Sequence, residues 1–110
     1  MTETAAAAID AVGKLMFVIA KLLAPPRVVK NAAVENDGGN EFISRDWELL
    51  LIKLHKILAY VPVRYSPTGA RLFSIFVMIY ELDLPSDKSM EKIKGLDSIL
   101  ASVYSLVAAS

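Results

Sequence analysis

The sequence predicts an all-α fold: a small bundle of four main helices with an irregular connection at 25–43, forming a single helical domain over 1–110. Apolar residues recur at spacings of three and four in long segments, the period of a helix that buries one side. Pro25-Pro26, Pro62 and Pro85 punctuate those segments, and proline ends a helix or sits only in its first turn. Hydrophobic residues occupy 55% of 110 positions. A domain of this size buries only about two-thirds of the surface its unfolded chain exposes, so some of that apolar surface must face a partner.

The first helix is expected from about Thr4 to Ala24. Ile9, Val12, Met16, Ile19 and Leu23 form its seam, widened by Leu15 and Leu22. Asp10, Lys14 and Lys21 make a thin polar line that also carries Phe17, and Asp10 and Lys14 are spaced to pair. From Arg27 to Ile43 regularity fades. Asn36-Asp37-Gly38-Gly39-Asn40 reads as a loop, because Gly and Asn accept positive φ and Asp and Asn compete for backbone donors.

Ser44 is the expected N-cap of the second helix, with Asp46 and Glu48 near its positive end. Its stripe is Trp47, Leu50, Leu51, Leu54, Ile57, Leu58 and Val61, and Pro62 is expected to stop it, leaving 61–65 extended. Ser66-Pro67 restarts a helix by a capping hydroxyl followed by proline at the first helical position. The run from Leu72 to Tyr80 is rich in β-branched and aromatic residues, but a lone strand would leave its backbone groups unpaired, so a helix is expected. After Pro85, Ser86 or Ser89 can cap the last helix. Its seam is Ile93, Leu96, Leu100, Val103 and Val107, with Ile99 and Leu106 beside it.

Composition narrows the function. Twelve basic and twelve acidic residues cancel, so no global field favours nucleic acid or anionic lipid. The absence of Cys removes disulfides and thiolate metal sites. The absence of glutamine leans towards a thermophilic source. An acidic start and an apolar run broken by Asp10 and Lys14 argue against a secretory signal, and Leu72–Tyr80 is far short of the roughly 20 residues a bilayer needs. A soluble, cytoplasmic protein is expected.

The back of the last helix is unusual. Gly95, Ser98, Ser102, Ser105 and Ala109 repeat at three and four, and nothing charged follows Asp97. Small side chains let a partner helix approach closely, so this stripe, with Phe17 and Val18 of the first helix, is the expected contact surface. The alternative is a solvated face that happens to use Ser and Ala. Ala6, Gly13, Ala20 and Ala24 are a weaker counterpart on the first helix.

A second candidate is cationic. Lys53, Lys56, Arg64 and Arg71 run without an acidic residue between them and are interleaved with His55, Tyr60 and Tyr65. Cations can hold phosphates and Tyr65 can stack a base. The competing reading is an ordinary solvated face, which zero net charge favours. His55 has no second His or Cys, and metal sites need three or four ligands, so no metal or cofactor is expected. The serines have no base at a recognisable spacing, and Glu81, Asp83, Asp87 and Glu91 read as loop and helix-start decoration, so no enzyme is expected. Trp47, Tyr60 and Phe76 read as core rather than as a ligand pocket.

These readings point to a non-enzymatic interaction or structural subunit that forms a homo-oligomer or joins a larger assembly through its first and last helices. The alternative is a small nucleic-acid-associated helical subunit. In length and helicity the chain is similar to the small helical subunits of archaeal CRISPR effector complexes, and that resemblance implies a place in a ribonucleoprotein. A membrane-surface protein ranks behind both, since two lysines on the polar line of the first helix are too few for strong interfacial binding.

Overall fold

The computed structural model describes residues 2–23, 32–81 and 87–109, with side chains described over 2–23, 45–81 and 89–109. Its elements are α1 (Glu3–Leu23), α2 (Ala32–Leu58), α3 (Val61–Arg64), α4 (Pro67–Glu81), α5 (Asp87–Lys94) and α6 (Leu96–Ala108). The long helices pack in a ring: α1 lies against α2 and α6, and α4 closes the other side against the same two. The all-α bundle expected from the periodicity is what forms.

α1 starts at Glu3, one residue earlier than expected, because Thr2 caps it, its Oγ1 accepting from the Ala5 N–H at 3.1 Å. Its buried side is Ala5, Ala8, Ala11, Val12, Leu15, Val18 and Ile19. Val12, Leu15 and Ile19 of the expected seam are buried and Ile9, Leu22 and Leu23 partly so, but Met16 is 49% exposed, and Ala5, Ala8 and Ala11 join the inner side. Spacing of the large apolar residues included Met16, whereas close helix packing selects small side chains where backbones approach.

α2 differs most from expectation. It begins at Ala32 and runs through Gly38-Gly39, so Ser44 and residues 32–43, expected in the irregular connection, lie inside the helix. Helix extension is cooperative: once the strong 45–58 segment is formed, each glycine added at its end opposes extension by only about 1 kcal/mol. Residues 24–31 lie outside those described. The core stripe holds at Trp47, Leu50, Leu54, Ile57 and Leu58, with Leu51 partly buried, but Val61 is exposed.

The expected extended link at 61–65 is a helical turn, α3, with Pro62 in its first turn, where no N–H is needed. Ser66 then acts at both ends of the junction. Its Oγ donates to the Val63 carbonyl at 2.6 Å and accepts from the Gly69 N–H at 2.9 Å. This closes α3 and caps α4, the restart expected from Ser66-Pro67. A Cβ on Gly69 would collide with the Val63 carbonyl, so only glycine lets α4 fold back this tightly on α3.

The last helix is broken in two at Gly95, whose N–H bonds the Lys92 carbonyl at 3.2 Å. Its seam is otherwise as expected, with Ile93, Leu96, Ile99, Leu100, Val103 and Val107 buried and Leu106 partly so. Of the two proposed caps, Ser86 lies outside the described residues, and Ser89 sits fully buried inside α5. No helix among the described residues is long and apolar enough to cross a membrane.

Candidate functional site

The surface carries three separate features, one for each of the outward faces of α1, α4 and α6. On α6 the expected stripe lies outward: Gly95, Ser98, Ser102, Ser105 and Ala109 are all exposed. Ser102 Oγ donates to the Ser98 carbonyl at 3.3 Å and Ser105 Oγ to the Ala101 carbonyl at 3.2 Å. Those hydroxyls are spent on their own helix, which leaves a flat face of low polarity with Tyr104 (52% exposed) at its edge.

On α1, Phe17 is 64% exposed, whereas Val18 is only 5% exposed and belongs to the monomer core. Both residues line one groove on this side of α1, Phe17 from the surface and Val18 from the core. Phe17 sits in a shallow groove between α1 and α2 with Gly13, Leu49 and the lysines Lys14, Lys21 and Lys53 around it. Lys21 lies over the Phe17 ring at 5.0 Å. Its ammonium is also 3.9 Å from the carboxylate of Asp46, which is buried. Lys14 pairs with Asp10 at 2.9 Å, an exposed contact. That hydrogen bond, seconded by the charges of Lys14, Lys53 and Lys56, holds the Asp10 carboxyl below the usual carboxylate range against a smaller opposing effect of burial.

The residues of the expected cationic site do not share one groove. Lys53 and Lys56 face the α1 side, where both act on Asp10. Arg64 and Tyr65 lie at the other flank of α2, lining a groove with His55, Ala70, Phe73 and Phe76. The Arg64 guanidinium rests 5.7 Å from the centre of the Tyr65 ring, and Tyr65 is 78% exposed. Arg71 is exposed but lines neither groove. Lys53 and Arg64, which spacing in the chain placed together, thus line different grooves.

The third feature was missed in the sequence. α4 buries only Gly69, Leu72 and Ile79. Phe73 (54% exposed) and Tyr80 (70%) stand on the surface with Val77 between them. The rings form a row: Phe73 and Phe76 stack at 6.4 Å, Phe76 and Tyr80 at 6.1 Å, and His55 tilts against Phe76 at 6.3 Å. The signal was present in Leu72–Tyr80, which is apolar on nearly every side and was read only as a helix. Trp47 and Tyr60 are buried in the core as expected, while Phe76 is half-buried at the edge of this row.

Among the described residues no three His, Asp or Glu side chains converge as a metal site would require. Comparison of the chain with protein-family models, with curated proteins and with solved structures found no match.

Proposed function

We propose that the protein is a non-enzymatic interaction subunit that self-associates or joins a larger assembly through helix–helix contacts. The supporting observation is the set of large apolar side chains left outside a complete monomer core: Phe17, Phe73 and Tyr80 are each more than half exposed. Isolated exposed apolar residues are ordinary on any surface, but a contiguous aromatic row along one helix is what contact surfaces present. The low-polarity face of α6 adds a second surface able to take a neighbouring helix. The division of the cations between two flanks of α2 weighs against the nucleic-acid alternative, which needs several phosphates held along one track.

Sedimentation velocity from low to high protein concentration, with an apolar dye titrated in parallel, tests this. The expected result is a mass rising above the 12.0 kDa of one chain, or dye binding by a monomer. A monomer at every concentration that binds no dye overturns the proposal.

A further inference from the structure

Ala70, Phe73, Val77 and Tyr80 follow one another along α4 at spacings of three, four and three, the repeat of a coiled-coil seam. All four are exposed, on a side of α4 away from the fully buried Leu72 and Ile79. We infer that this seam is the two-fold interface of a homodimer, with α4 of one copy running antiparallel to α4 of the other. The inference rests on the self-association proposed above and adds to it a face, a register and a pair of charges.

A two-fold contact is isologous, so if one residue meets a second, the second meets the first across the axis. With the axis passing beside Ile75, Phe73 faces the partner's Val77 and Ala70 faces the partner's Tyr80. Each level sets a large side chain against a smaller one, which is what close packing of two seams requires. The surface around Ala70 has the matching shape. There Arg64, Tyr65, Ala70, Phe73, Phe76 and His55 line a groove of about 410 Å³. Tyr80, 70% exposed, projects at the other end of the same helix. Two-fold symmetry thus seats each Tyr80 in the groove of the other copy.

Charge completes the match. Glu81 follows Tyr80, so a seated Tyr80 brings its neighbour to the end of the groove where Arg64 lies. Both are exposed, and among the described residues neither has an ion pair. Arg64 and the partner's Glu81 then meet twice, once at each end of the seam. The α1 groove offers less to a second copy, because Lys14 and Lys21 already pair with Asp10 and Asp46 of their own chain. The α6 stripe carries no charged residue to set a register.

The test is sedimentation equilibrium on the full chain, with far-ultraviolet circular dichroism confirming that each variant keeps its helices. Phe73→Asp and Ala70→Arg change only exposed positions; each is expected to raise the dimer Kd by more than about 100-fold, as loss of a central interface anchor does. Arg64→Glu and Glu81→Arg are each expected to raise it about 10-fold, because a two-fold interface repeats every charge reversal. The double variant R64E/E81R restores opposite charges at both ends and should return the Kd to within about 3-fold of the original, the double-mutant signature of a direct pair. Self-association that survives Phe73→Asp but is lost with Ser98→Arg or Phe17→Asp would overturn the α4 dimer while leaving the interaction reading in place. A dye-binding monomer would do the same, and a monomer that binds no dye would remove both.

Discussion

α1 and α4 are both strongly apolar helices, yet the fold treats them differently. α1 buries seven of its 21 residues, including three alanines on the side that packs into the bundle. α4 buries three of 15, one of them a glycine, and leaves aromatic rings outside. The difference is one of side-chain size in relation to neighbours. Ala5, Ala8 and Ala11 let α1 settle against the bundle along much of its length. α4 meets α2 and α6 along one side and is drawn tightly down only at Gly69, where it crosses α3. Apolar content alone does not say which helix is enclosed; the placement of small residues does.

The sharpest way to break this contrast is at the point that seats α4. Gly69→Ala would put a Cβ into the Val63 carbonyl, and backbone on both sides must shift. A loss of at least about 3 kcal/mol is expected, read as a fall in Tm or outright unfolding. Gly13→Ala in α1 is the control, since nothing lies near its added methyl, and it should stabilise by about 0.5–1 kcal/mol.

Core truncations follow. Leu15→Ala in α1 and Ile79→Ala in α4 each empty a fully buried position and should lose about 2–5 kcal/mol in denaturant titration. Phe73→Ala, although it removes a larger side chain, should change monomer stability by no more than about 0.5 kcal/mol. A large loss at Phe73 measured at low concentration would mean that the outer face of α4 is covered within the monomer, and the contrast would fail.

Lys21→Ala should lose about 1–3 kcal/mol, because it leaves the buried Asp46 carboxylate without its nearest cation and Phe17 without the ammonium over its ring. Phe17→Ala alone should fall well below that value, which separates the ionic from the apolar part of the α1 groove.

The smallest effect is a matter of pH. The folded-state pKa of Asp10 is lowered, chiefly by the Lys14 hydrogen bond. Its contribution is therefore present above the ordinary aspartate pKa and is lost as the pH falls through the lowered folded value. The contact is exposed, so Asp10→Asn should flatten only slightly the acid limb of the stability curve, and added salt should erase the difference.

Much of the fold was legible in the sequence. The seam of α6 and most of the α2 stripe were readable because both helices bury a regular side, where period alone identifies the core. Ser66-Pro67 was readable because a cap is local chemistry. The beginning of α2 was not, since Asn, Asp and Gly favour turns individually while a strong neighbouring helix can still extend through them. The α6 face was legible as a row of small residues, and its hydroxyls' bonds to their own backbone only deepen that reading. Phe17 and Val18 line one groove, but period alone could not say that Phe17 stands on the surface while Val18 belongs to the core.

By itself, then, the sequence determined that the long apolar segments are helical, that Ser66-Pro67 starts one of them, and that more apolar surface exists than a bundle of this size can enclose. These are consequences of local geometry and of area scaling with chain length. Tertiary structure alone decided where that surface ends up. The ring of α1, α2, α4 and α6 encloses the alanine side of α1, separates Lys53 from Arg64, and leaves Phe73 and Tyr80 outside. Burial depends on which neighbours an element meets, and no single element's period contains that information.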